Sequence, residues 1–243
     1  RYGDDRAAKL TLEKLLVSSP DKLALLEFWV DVAQSDQLFE TPSDRLQVWQ
    51  EIAPYYPDSE RWWQVSALLL ANSGHCQKAL VALDAIDPVV AKEEVLESAA
   101  FVARQCKDFS RSLRYSLAGV ERFGGMNWLA LSALVLTDSG EPDKAVSLLN
   151  EHRAIAGTTA DVLFARAYAY EAQGENDLAL AGYKDVMALD SAYQQAYVHH
   201  VMLVNAGGDS TEALDLAEQH PEWFQPDHWR KLYADDVAYT LRV

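Results

Sequence analysis

Between Ala160 and Asp190 the apolar residues Leu163, Ala167 and Tyr170 recur at helical spacing before Gly174, and Leu178, Ala179, Val186 and Leu189 recur after it. The pattern predicts two helices. The glycine between them ends the first and allows the chain to turn into the second. Strand-like alternation of apolar and polar residues is absent from the whole sequence.

The same punctuation returns along the chain. A glycine followed five residues later by a small and then an aliphatic residue occurs at Gly74/Ala79/Leu80, Gly140/Ala145/Val146, Gly174/Ala179/Leu180 and Gly208/Ala213/Leu214. Gly74 and Gly140 are 66 residues apart, twice 33, and the next two intervals are both 34. A further copy must sit midway, and Lys107 with Ser112 and Leu113 fills that place without a glycine. Counting backwards gives Thr41 with Leu46, then Gly3 with Ala8, with a short insertion near "QSDQLFET". About seven helix-turn-helix units, some incomplete, span residues 1–243 as one solenoid. A terminal helix occupies 226–243, with Trp229, Leu232, Tyr233 and Val237 on one face. Ala67, Ala100, Ala133 and Ala167 each lie seven residues before a turn, small side chains where paired helices approach closely.

A unit of 34 residues with large, small and aromatic residues at fixed offsets resembles the tetratricopeptide repeat. Leu163, Ala167, Tyr170, Ala179 and Tyr183 carry the pattern in one copy, and Trp63, Ala67, Leu70, Ala79 and Leu83 in another. Lys107 for the turn glycine and Ser112 for the small alanine are departures. The resemblance implies an all-α superhelical solenoid of antiparallel helix pairs with a concave inner face.

Charge narrows the function. The chain has 37 acidic and 21 basic residues, net −16. Such a surface disfavours phosphate backbones and favours cationic partners. No apolar run reaches the roughly 20 residues of a membrane-spanning helix, so this stretch is not membrane-embedded. The chain opens at Arg1 without a leader sequence and reads as a fragment of a longer protein. No catalytic or cofactor motif is present, and Gly124-Gly125 and Gly207-Gly208 read as turns because no phosphate-loop frame surrounds them. His199 and His200, adjacent on a helix, point to different faces; packing or surface roles outweigh metal binding there. Cys76 and Cys106 sit near the same turn of successive units, either as a disulfide or as two thiols.

The repeat register brings Glu94, Glu97, Phe101 and Gln105 to the inner face in one unit, Asp138 in the next, and Asp161, Phe164, Tyr168 and Glu171 in the following one. Asn72, Gln105 and Asp138 recur at intervals of 33 and could form a polar ladder. Only Arg61 and Arg104 are basic at inner positions, too few for the acidic-peptide clamp of some tetratricopeptide co-chaperones. The face instead fits an extended neutral or cationic ligand, with rings and carboxylates attracting ammonium groups. The competing reading is that Phe101, Phe164 and Tyr168 fill the seams between repeats. Lys107, Arg111 and Arg114 fall at i, i+4 and i+7, a basic stripe that pairs with acidic neighbours or docks a protein.

Residues from about 158 onward, including "HPEWF", Pro226, Arg230, Leu232 and Asp236, also resemble the periplasmic repeat region of bacterial exopolysaccharide exporters, particularly the poly-N-acetylglucosamine export porin. That resemblance implies a non-catalytic module ahead of an outer-membrane barrel, a part in biofilm polymer export, and a periplasmic location. Its implied partners are a polymer-modifying enzyme and a partly deacetylated, cationic polysaccharide. The alternative is a cytosolic scaffold for a protein or peptide.

Overall fold

A computed structural model describes residues 14, 41–52, 60–152 and 159–235, and every regular element among them is helical. The chain divides into two compact units, residues 1–119 and 120–243. The first contains α1 (Pro42–Ile52), α2 (Glu60–Asn72), α3 (Cys76–Leu83), α4 (Glu93–Gln105) and most of α5 (Phe109–Arg122). The second contains α6 (Met126–Asp138), α7 (Pro142–Glu151), α8 (Ala160–Gln173), α9 (Asn176–Leu189), α10 (Gln194–Ala206), α11 (Ser210–Ala217) and α12 (Pro226–Asp235), with a 3-10 turn at Pro221–Trp223. The expected first copy around Gly3, the "QSDQLFET" insertion up to Glu40 and the end of the terminal helix lie outside the described residues. No helix among those described is long and apolar enough to cross a membrane.

Side-chain hydrogen bonds mark the start of several helices. Thr41 and Asp44 cap α1 reciprocally: Asp44 N–H donates to Thr41 Oγ1 at 3.3 Å, and Thr41 N–H to Asp44 Oδ2 at 3.1 Å. Asp209 Oδ1 accepts from Glu212 N–H at 3.1 Å to start α11. Asp108 Oδ1 accepts from Arg111 N–H at 3.0 Å at the start of α5.

Helix ends follow one design. Gly74, Gly140, Gly174 and Gly208 have φ of 78°, 83°, 80° and 97°, and Lys107, in the copy lacking a glycine, has φ 60°. The sequence departure at 107 is thus chemical only, because the backbone makes the same left-handed turn with a side chain attached. At each turn the following N–H reaches back six residues inclusive, as from His75 to Leu70 O at 2.8 Å and from Asp108 to Ala103 O at 2.9 Å. These bonds close the last helical turn and satisfy carbonyls that would otherwise be orphaned.

The helices on either side then pack in pairs: α2 with α3, α6 with α7, α8 with α9 and α10 with α11. First helices also pack on one another, α2 on α4 and α6 on α8. Ala67, Ala100, Ala133 and Ala167 are all fully buried, as their spacing from the turns requires. Ala167 meets Gly182 of α9 so closely that a Cβ added to the glycine would stand 2.8 Å from the alanine Cβ. Ser112, the other departure, is also completely buried, and its hydroxyl donates to Ala100 O at 2.7 Å, so the polar substitute is satisfied.

In the first unit α3 has only 8 residues. Side chains of α5 take over the capping of its end: Arg111 Nη1 donates to Leu80 O at 2.6 Å and Tyr115 Oη to Leu83 O at 2.7 Å. At the other end of α3, Cys76 is joined by a disulfide to Cys106, with the Cα atoms 5.3 Å apart. Their separation of 30 rather than 33 residues offsets them along the turns and brings them together. In the second unit the "HPEWF" segment folds back so that Phe224 is buried with Val201 of α10 and Leu232 of α12. Trp223 stacks on His220 with ring centroids 3.9 Å apart.

Two stability tests follow from this packing. Gly182→Ala should destabilise the chain by about 1 to 3 kcal/mol through overpacking against Ala167, read as a lowered denaturation midpoint. The oxidised protein should show no thiol reactive towards a thiol reagent in the native state. Reduction of the bridge, or a Cys76→Ser/Cys106→Ser variant, should lower the unfolding free energy by about 3 to 4 kcal/mol, the chain-entropy scale for a loop of this size.

Candidate functional site

The aromatic residues of the second unit meet around one ring. Phe164 on α8 lies parallel to Tyr168, with centroids 6.0 Å apart and planes 4° from parallel. Tyr193, just before α10, reaches the same ring at 5.2 Å, Tyr183 of α9 at 5.9 Å, and His199 of α10 edge-on at 5.6 Å. The register of three helices therefore converges on a residue that is itself only 4% exposed.

A rim of carboxylates is fastened to this cluster by hydroxyl groups. Tyr168 Oη donates to Asp138 Oδ1 at 3.0 Å, and Tyr193 Oη donates to Asp161 Oδ1 at 2.9 Å. Tyr183 Oη donates to Glu171 Oε2, and His199 Nδ1 lies 2.9 Å from the same oxygen. Burial pushes the Glu171 carboxyl up, but the hydrogen bonds from His199 and Tyr183 reverse this and hold it below the ordinary 4.5. A carboxylate only accepts, so His199 carries its hydrogen on Nδ1. Tyr183 is displaced upward by burial first and then by its bond to Glu171, so it stays a neutral donor. The result is a partly exposed surface with three anchored anions beside aromatic rings.

Of the residues read from the sequence as inner-face contacts, the structure brings Asp138, Asp161, Phe164, Tyr168 and Glu171 together. Phe164 is a core residue, since the rings around it leave almost no free face; this is the seam-filling role. Asn72, Glu94, Glu97, Phe101 and Gln105 belong to α2 and α4 of the first unit, where Phe101 is 51% exposed and both glutamates are exposed. Gln105 Nε2 donates to Asn72 Oδ1 at 3.3 Å, one rung of the expected ladder. Asp138, in the second unit, accepts from Tyr168. Sequence reasoning missed Tyr183, Tyr193 and His199 as parts of the site. Their partners lie 12 to 32 residues away, and the inner-face register alone does not include these positions.

For the basic stripe the structure shows the expected pairing with acidic neighbours at Arg111. Lys107 precedes α5, in the left-handed turn, and so does not continue a helical face. Arg111 is committed internally, with Nη2 2.9 Å from Asp84 Oδ1 and Nε 3.5 Å from Asp108 Oδ2. Arg114 is exposed, with its guanidinium carbon 5.1 Å from the centroid of the Tyr115 ring.

His199 and His200 diverge as their adjacency requires. His200 is buried with Nδ1 unpartnered, and burial first, with the charge of Lys184 second, holds it below the ordinary 6.5. Among the described residues no group of three or more histidine, cysteine or acidic side chains is arranged to hold a metal ion.

No protein-family model matches the chain, and no curated protein matches it. Solved structures do share its architecture. A tetratricopeptide repeat protein from Parabacteroides merdae superposes with a TM-score of 0.74 at 15% identity, covering 95% of this chain and 91% of that one. The fold is that of tetratricopeptide-repeat proteins. Similarity extends to the APC/C hetero-tetramer Cut9–Hcn1, with a TM-score of 0.57 at 12% identity over 98% of this chain and 45% of that one. The C-terminal part of a repeat protein from Cytophaga hutchinsonii gives 0.50 at 14% identity, over 86% and 77% respectively.

The two groups with lowered pKa make acid stability a test of this tetratricopeptide-type packing. As pH falls through 6.5 the unfolded chain protonates the histidine at 200 before the folded chain does, so stability is lost from there downward; Glu171 adds a second loss below 4.5. The thermal midpoint should fall between pH 7 and pH 5, and His200→Leu should flatten that part of the profile. A Glu171→Gln variant should flatten only the more acidic part.

Proposed function

We propose that this chain is a non-catalytic binding module whose second unit holds an extended cationic ligand. The observation that carries the reading is the set of three carboxylates, Asp138, Asp161 and Glu171, each tied by a tyrosine hydroxyl beside a shared aromatic cluster. Fixed anions beside rings attract ammonium groups. The ligand that fits best is a polysaccharide with free amines, such as partly deacetylated poly-N-acetylglucosamine. Its sugar faces would lie on Tyr168 and Tyr193 and its amines near the carboxylates. The net charge of −16 supports attraction of such a polymer.

The setting proposed is the periplasm, ahead of an outer-membrane export barrel, where the module would also dock a polymer-modifying enzyme. The Cys76–Cys106 bridge supports an oxidising compartment over a cytosolic scaffold. The use of this fold in a hetero-tetramer such as Cut9–Hcn1 supports the docking half of the proposal. Exposed Phe101, Glu94 and Glu97 on α4 offer a surface for it in the first unit.

The test is a titration with partly deacetylated and with fully acetylated N-acetylglucosamine oligomers at low and moderate salt. Binding should be confined to the deacetylated oligomers and weaken with salt. A paired Asp138→Asn/Asp161→Asn change should reduce affinity about fivefold, as expected for about 1 kcal/mol of lost charge attraction. Equal affinity for both oligomers, or none for either, would remove the polymer from the proposal.

A further inference from the structure

We infer that His199 determines the ligand preference of the second-unit site: neutral, its Nε2 accepts a hydrogen bond from an ammonium group, and protonated, it turns that group away. The inference deepens the cationic-ligand reading and rests on it. Because Nδ1 gives its hydrogen to Glu171 Oε2 at 2.9 Å, the proton that distinguishes the two charge states sits on Nε2. No described residue hydrogen-bonds Nε2, and the side chain is 33% exposed, so a ligand can reach it.

The ring cannot swing away without losing its packing. It stands edge-on to Phe164 and to Tyr168, at 5.6 and 5.3 Å, and tilted against Tyr183 at 5.6 Å. The titratable groups that face it are Glu171 and Tyr168 from α8 and Tyr183 from α9; Tyr183 gives its own hydroxyl hydrogen to the same glutamate oxygen. His200, the next residue of α10, is buried and senses Lys184 instead. Proton uptake at His199 therefore acts locally in two ways. It adds a positive charge beside the anchored carboxylates, and it converts an acceptor into a donor where the ligand's own donor would point. Both changes oppose an ammonium group, and neither depends on the rest of the ligand.

The probe should keep its charge at every pH compared. N-acetyl-trilysine amide does, since lysine ammonium groups titrate near 10.4. Its binding to the full chain, measured calorimetrically, should be about fivefold tighter at pH 8 than at pH 5.5, the scale of one added unit charge at close range in water. His199→Gln, which can still donate to Glu171, and His199→Phe, which keeps the ring packing, should each abolish that pH difference. Circular dichroism would establish that both variants fold.

Equal wild-type affinity at the two pH values, or an unchanged pH difference in the folded variants, would overturn the inference. It would also fail if trilysine did not bind while deacetylated glucosamine oligomers did, because an ammonium group alone would then not be recognised. Failure of both probes at both pH values would remove the cationic-ligand reading itself.

Discussion

Five successive first helices end with a residue in the left-handed region, and the antiparallel pairing follows from that constraint. The turn reverses the chain within two residues, and the reversed helix can return alongside its partner only where both carry little bulk. Ala167 against Gly182 is the tightest such crossing, and the buried alanines at 67, 100 and 133 mark the equivalent level elsewhere. A left-handed turn followed by a large residue at the crossing would separate the helices and open the seam that the aromatic residues fill. Turn and crossing therefore act as one requirement spread over some fifteen residues of sequence.

This explains why so much of the architecture could be read without coordinates. Helical periodicity, a glycine and a small residue seven positions earlier are local signals, and they recur often enough to expose a missing copy. Where Lys107 replaces the glycine, the interval still located the turn, because spacing is set by helix length rather than by the residue that bends. The carboxylate-tyrosine ties were not legible in the same way. Tyr168 to Asp138 and Tyr193 to Asp161 join positions 30 and 32 residues apart, and their existence depends on how far one pair is rotated against the next. That rotation has no one-residue signature. In the stripe of Lys107, Arg111 and Arg114 the pairing of Arg111 with acidic neighbours follows the spacing, but Lys107 sits in a turn, where the helical period does not apply.

The second unit does not separate its folding groups from its surface chemistry. Tyr183 is buried in the core yet its hydroxyl fixes Glu171; Phe164 is buried yet sets the planes of the rings around it. Such sharing gives the carboxylates fixed positions, so little ordering entropy is lost when a charged ligand arrives. It also makes alanine truncation of Phe164 a poor probe of binding, whereas Asp138 and Asp161 meet the rings at tyrosine hydroxyls on the rim of the cluster.

In the first unit the disulfide changes what it means for the chain to be continuous. Cys76 and Cys106 enclose α3, the segment around the exposed Val89 and Val90, and α4 within one covalent ring. Peptide-bond cleavage at those valines would open the ring without parting the molecule. The two pieces would remain joined through sulfur, and α3 would keep its helix-end contacts to Arg111 and Tyr115. Backbone connectivity and molecular integrity are thus distinct properties in this part of the chain: one hydrolysed bond produces a two-chain protein rather than two proteins.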